Sequence, residues 1–278
     1  MIQSSFTVDR LEFRRIDAGA PAALLEYLVK SESVHEIKSD RELLRRLQAD
    51  RRCYGFFHPA MAYEPVAFVE LALTQGLTAS VQLLLDPDAP ILDAASCTHA
   101  VFYSISRCHR GLQGVSFGNA LIRRTVERLR RECPSLETFA TLSPIPGFRS
   151  WLTASGGDNR TNAEVIASLD NGVDGSRPWD ELEAILIPLC ASYLLRTKRG
   201  AEPADPVARF HLRNGASLER LNWCGDTSAA GLARSVGVTA NYVYRLDEIE
   251  RNQQAYAAGR RVSASPGVEQ LLDTPLPG

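Results

Sequence analysis

Apolar residues recur along this chain in two rhythms. Between residues 117 and 133, Ile122, Val126, Leu129 and Cys133 follow one another at spacings of four, three and four, which marks one buried stripe of a helix. Arg123, Arg124, Glu127, Arg128, Arg130 and Arg131 fill the remaining, solvated face. PAALLEYLVKSE and SDRELLRRLQAD carry the same helical pattern, and Ser39 with Glu42 forms a capping box at the start of the second. The other rhythm is that of strands. CYGFF, PVAFVELAL, SVQLLL, HAVFYSIS and ETFATL are short apolar runs rich in β-branched and aromatic residues. Further on, PWDELEAILIPLCASYLLRT is helical, with Pro178 near its start and Pro188 placed to kink it. DPVARFHLRNG (helix), ERLNW (strand), SAAGLARSVG (helix), TANYVYRL (strand) and DEIERNQQAYAAG (helix) then alternate. ASGGDNRTNAEVIASLDNGVDGSRP reads as loop with one short helix, and residues 260–278 as a frayed, flexible tail. The pattern predicts a mixed α/β fold, one domain on a central sheet over residues 1–259.

TLSPIPGF, residues 141–148, breaks both rhythms. Pro144 and Pro146 each fix φ and remove a backbone donor, and Pro144 pushes Ser143 towards extended geometry. Such a turn holds one side chain at a strand end with little freedom. It serves equally as a stiff connector whose serine bonds only its own backbone.

Composition narrows the classes. The 31 basic and 33 acidic residues leave a net charge of −2, so there is no basic field for nucleic acid or a membrane surface. No apolar run is long enough to span a bilayer, and MIQSSFTVDR has no signal-peptide core, which points to the cytoplasm. The six cysteines lie far apart without a C-x-x-C pair and read as reduced, mostly buried thiols. The five histidines show neither H-x-H nor H-x-x-x-H spacing, so no metal site is expected.

Two places carry candidate chemistry. Gly111, Gly114 and Gly118 approach the arginine-rich helix, and its first N–H groups suit a pyrophosphate. The loop is neither a Walker A sequence nor G-x-G-x-x-G, and from spacing alone a tight turn is an equal alternative. The second place is FHLRNGA, where His211 sits between Phe210 and Leu212. A lone histidine on a half-apolar helix is commonly a satisfied core residue, yet a neutral imidazole can also exchange protons near pH 7.

TLSPIPGF with Trp151, FYSIS with GLQGVSFG, PVARFHLRNGA with LNWCGDTS, and ANYVY occur here in the order found in malonyl-CoA decarboxylases. VHEIK, RRCYGFFH and PVAFVELALT extend the resemblance over nearly the whole chain. It implies a GNAT acetyltransferase-like fold, a mixed sheet with splayed central strands and flanking helices, and a catalytic domain over residues 1–259. It also implies a carboxy-lyase that turns malonyl-CoA into acetyl-CoA and CO2, with no cofactor beyond the CoA of the substrate. Ser143 and His211 match the family's catalytic pair, and Tyr244 a tyrosine of the active site. Gln113, Gly114, Val115, Ser116, Phe117, Gly118 and Asn119 match the CoA-binding loop. Ser116 stands where animal relatives have glutamate, and Val115 where acetyltransferases have Arg or Gln. The family's N-terminal helical domain, which mediates oligomerisation, has no counterpart here, although a homo-oligomer stays compatible with the resemblance. Fatty acid or malonate metabolism is the implied setting. A CoA-dependent acyltransferase of the same fold is the alternative.

Overall fold

A computed structural model describes residues 8–109, 117–155, 179–259 and 262–274. The chain divides into two units, Met1–Thr78 with Leu83–Ala140 and Ala79–Gln82 with Thr141–Gly278.

In the first unit, β1 (Glu12–Ile16), β2 (Arg51–Phe57), β3 (Pro65–Thr74) and β4 (His99–Arg107) pair antiparallel in that order. Every residue of β2 and β3 is buried. That explains why CYGFF of β2 and PVAFVELALT of β3, with Glu70 its one charged residue, do not alternate between apolar and polar. β5 (Thr138–Thr141) lies next to β4. The carbonyl of Thr98, just before β4, accepts the N–H groups of Glu137 and Thr138. The two strands therefore begin at the same end.

The long helix between β4 and β5 buries the expected stripe: Ile122, Val126, Leu129 and Cys133 are each less than 9% exposed. Two shorter helices, α1 (Ala22–Ser31) and α2 (Asp40–Arg46), add Leu24, Leu28 and Leu43, with the C-cap residue Leu47, to a core cluster with Ile16, Phe57 and Phe68. Each such side chain contributes about 1.5–3 kcal/mol on burial. The capping box forms with a shift of one residue. Ser39 Oγ accepts the Glu42 N–H, while the Glu42 carboxylate takes the N–H of Lys38.

The same unit buries charge. Arg45 holds Asp50 through both oxygens at 2.7 and 3.1 Å, Arg51 reaches Asp50 at 2.8 Å, and Arg46 reaches Glu70 at 2.6 Å. All five side chains are at most 5% exposed. Removing one member of such a pair strands its partner and costs about 3–5 kcal/mol.

SVQLLL is not a strand. Val81–Leu85 forms one helical turn and a half, here α3. The Gln82 side chain turns aside to donate to Asp226 Oδ1 and accept the Thr227 N–H. A five-residue apolar run carries no periodicity that separates strand from helix, and side-chain partners decide it. α4 is the long helix Phe117–Glu132.

In the second unit β6 (Ser143–Pro144) pairs antiparallel with the strand Thr239–Tyr244, which pairs on its other side with Ser217–Asn222. After the P-I-P turn comes α5 (Phe148–Ser155), a helix the sequence pattern did not announce. α6 (Trp179–Arg196) contains Pro188. A short hairpin, β7 (Lys198–Arg199) and β8 (Glu202–Pro203), leads into α7 (Pro206–Arg213). β9 (Ser217–Asn222), α8 (Ala229–Ser235), β10 (Thr239–Tyr244) and α9 (Ile249–Gly259) follow as expected. Gly215, at φ 86°, ends the α7 segment where a Cβ would meet the Ile249 carbonyl oxygen at 2.6 Å.

The free tail expected over 260–278 is corrected for its described part. Ser263 and Ser265 bond the Leu218 backbone from both sides, and Ser265 caps α10 (Pro266–Gln270). Val268 is only 2% exposed, an apolar anchor that docks this segment. Of the loop expected over residues 154–178, Ala154 and Ser155 belong to α5 instead, and residues 156–178 lie outside the described residues, as do 275–278. All six cysteines are free thiols, four of them buried.

Candidate active site

Ser143 opens the two-residue strand that it forms with Pro144, in register with Ala240 of β10. Strand pairing and the fixed φ of Pro144 together hold its backbone. Its side chain is 5% exposed. The Ser143 hydroxyl donates to Thr141 Oγ1 at 2.8 Å, and its oxygen lies 3.2 Å from His211 Nε2. On the other side of the ring, His211 Nδ1 is 2.8 Å from the Tyr244 hydroxyl. Thr141, Ser143, His211 and Tyr244 thus form one continuous hydrogen-bonded chain.

His211 lies on the buried face of α7 with Ala208 and Leu212. Its ring stacks on Tyr242 at 4.7 Å between centroids and meets the edge of Phe210 at 4.9 Å. Burial in this aromatic setting lowers its pKa from the usual 6.5 to about 3, so the imidazole is neutral. Burial likewise pushes the Tyr244 phenol far above its usual 10, and it keeps its proton.

One carboxylate ties the two halves of this site together. Asp205, fully buried, caps α7: Oδ1 accepts the N–H groups of Val207 and Ala208, each at 2.9 Å. Its Oδ2 accepts the N–H of Gly147, in the turn that follows Ser143, at 3.2 Å. Burial raises its pKa, against the pull of these three N–H groups. Gly147 is required there, because a Cβ would sit 2.1 Å from the Tyr193 hydroxyl oxygen. Behind the serine, Asn241 donates to the Thr141 carbonyl at 2.7 Å and accepts from Asn222 at 3.0 Å.

Of the residues expected from sequence, Ser143, His211 and Tyr244 meet within hydrogen-bond distance. Phe117 and Gly118 are buried and Asn119 half-buried in the first turn of α4. Gln113, Gly114, Val115 and Ser116 lie outside the described residues. Thr141, Asp205 and Asn241 were not anticipated. Asp205 had a signal, an Asp-Pro pair opening a helical pattern. Among the described residues, no group of three or more His, Cys, Asp or Glu side chains is arranged to hold a metal ion. Nor is any described helix long and apolar enough to cross a membrane.

Residues 10–277 match the family pattern described as malonyl-CoA decarboxylase C-terminal domain. The chain belongs to this family. Goose (Anser anser anser) mitochondrial malonyl-CoA decarboxylase is 36% identical over 98% of the chain, which spans 59% of that relative's length. The crystal structure of malonyl-CoA decarboxylase from Agrobacterium vitis superposes with a TM-score of 0.91 at 43% identity, covering 97% of this chain and 69% of the other. The loading GNATL domain of CurA from Lyngbya majuscula shares the fold, with a TM-score of 0.53 at 13% identity, over 87% of this chain and 98% of that domain. The family's architecture is therefore a mixed α/β, GNAT-like fold, as the motifs implied.

Proposed function

We propose that this chain decarboxylates malonyl-CoA to acetyl-CoA and CO2, using Ser143, His211 and Tyr244 as its acid–base group. The observation that carries the reading is the 3.2 Å contact between Ser143 Oγ and His211 Nε2 in a chain of this family. Malonyl-CoA holds a carboxylate β to a thioester carbonyl. When the carbon–carbon bond breaks, its electron pair passes into the thioester as an enolate, CO2 departs, and a proton is then delivered to the methylene carbon. The thioester is its own electron sink, so this chemistry calls for no organic cofactor. It requires hydrogen-bond donors for the enolate oxygen and a proton donor for carbon, the tasks a hydroxyl and an imidazole perform. Loss of one enolate-stabilising donor costs about a hundredfold or more in rate. The Gly-rich approach to α4, Gln113 to Asn119, is assigned to the CoA pyrophosphate, the ligand suited to a helix N-terminus.

The test is incubation of the purified chain with malonyl-CoA alone, following CO2 and acetyl-CoA. Turnover that persists with a chelator supports the reading. Malonate and free CoA as products would mean hydrolysis, and consumption only with an added amine would mean acyl transfer. Ser143→Ala and His211→Asn are each expected to lower turnover strongly with little change in CoA affinity. If the pair acts as one unit, the double variant is little worse than the poorer single one. A fully active Ser143→Ala chain would reduce TLSPIPGF to a connector.

A further inference from the structure

The direction of each hydrogen bond in the buried chain follows from counting protons. Thr141 Oγ1 accepts twice, from the Tyr242 N–H at 3.2 Å and from the Ser143 hydroxyl at 2.8 Å. A hydroxyl oxygen has two lone pairs, so both are occupied. Ser143 has a single proton, and it is directed at Thr141. The Ser143–His211 contact at 3.2 Å must then run the other way, from an imidazole N–H to the serine oxygen. A neutral imidazole carries one N–H. Placing it on Nε2 leaves Nδ1 bare, and the protonated Tyr244 hydroxyl, 2.8 Å away, donates to it.

We infer that Thr141 is a positioning residue: it draws the Ser143 proton away from His211 and so sets His211, in its Nε2–H tautomer, as the proton donor of the pair. The role deepens the decarboxylase reading, on which its catalytic meaning rests. Without Thr141 Oγ1, the serine proton would turn to Nε2, the ring proton would sit on Nδ1 facing the Tyr244 oxygen, and the imidazole would reach the substrate side as an acceptor. Backbone geometry supports the assignment. Thr141 ends β5 two residues before Ser143, and its carbonyl is held by the buried Asn241 amide at 2.7 Å. The hydroxyl that accepts the serine's hydrogen bond is thereby carried on backbone that a buried neighbour holds.

The test reads the tautomer directly. In the full chain labelled with nitrogen-15 in histidine, His211 is assigned by comparison with His211→Asn, and its two ring nitrogens are observed near neutral pH. The expected spectrum shows a protonated Nε2 and an unprotonated Nδ1. Thr141→Val, which keeps the branched shape and removes the acceptor, should move the proton to Nδ1 and lower turnover about tenfold or more with KM little changed. Thr141→Ser restores the acceptor and should restore both the tautomer and most of the turnover. A protonated Nδ1 in the unaltered chain overturns the inference, whether or not Thr141→Val folds. So does a folded Thr141→Val chain that keeps Nε2–H and full turnover, or a folded Thr141→Ser chain that behaves like Thr141→Val. The expected tautomer in a chain that never consumes malonyl-CoA would remove the decarboxylase reading and leave the hydrogen-bond assignment standing.

Discussion

Acid should destabilise this protein in part through one buried imidazole, that of His211. Burial holds the His211 pKa at about 3 in the folded chain, against an ordinary value of 6.5. As pH falls below about 6.5, the unfolded chain takes up a proton that the folded chain refuses, so equilibrium shifts towards unfolding. The contribution is complete above the unfolded value and is lost progressively down to the folded one. Tenfold in proton affinity is worth about 1.4 kcal/mol, so the whole depression amounts to about 5 kcal/mol, of which about 3 kcal/mol is gone by about pH 4.5. His211 is 3% exposed, which leaves little room for solvent screening. The assay is urea unfolding followed by tryptophan fluorescence at about pH 7.5 and about pH 4.5, on the unaltered chain and on His211→Asn. Asparagine does not titrate, while every other carboxylate and histidine is common to both proteins. The unaltered chain should lose about 3 kcal/mol more than the variant between the two conditions. Equal losses would show that the imidazole is charged or hydrated in the folded state, and the neutral hydrogen-bonded chain would fall with it.

Asp205→Ala should lower stability by about 2 kcal/mol, from a lost helix cap and an unpaired Gly147 N–H, as read from the urea midpoint. Asp205→Asn keeps one oxygen for the cap and should lose about half of that. Gly147→Ala should destabilise by about 1–3 kcal/mol because its methyl group meets Tyr193, and Tyr193→Phe in the same chain should recover part of the loss in thermal unfolding. Gly118→Val should weaken binding of CoA esters in calorimetry while circular dichroism stays unchanged, and unaltered affinity would place the nucleotide elsewhere.

The sequence was most legible where one face meets a core. The four-three-four stripe of α4 predicted its buried residues because a single helix face packs there. β3 was visible because both its faces are covered, so that Glu70, held by Arg46, is the one charged residue within PVAFVELALT. β1 was missed for the opposite reason: in EFRRI only Ile16 is buried, so the strand exists through its ladder with β2 and not through its own apolarity. The burial of Arg45, Arg46 and Arg51 was not legible, since burial of an arginine depends on a partner elsewhere in the chain, here Asp50 and Glu70. The candidate pair, Ser143 and His211, sits at the limit of such reading. Ser143 and His211 are 68 residues apart, and their residue types alone made neither more than a turn serine and a core histidine. Resemblance named them, and the fold put them in contact. Thr141 left no trace in composition or spacing, because its importance lies in the direction of a hydrogen bond.

The Asp205 carboxylate also bears on how this site fails. It bonds the turn after Ser143 and the first turn of the helix bearing His211, across 58 residues of sequence. Neither element can open alone without stranding a buried negative charge. The amide protons of Gly147, Val207 and Ala208 should therefore exchange with solvent in one shared event, with one opening free energy rather than two. A thermal fluctuation or a distant destabilising substitution would not yield a half-built site with its serine set and its histidine astray. It would yield a smaller population of chains in which the whole site is present, and activity would decline through abundance of the assembled state while each assembled molecule kept its full rate.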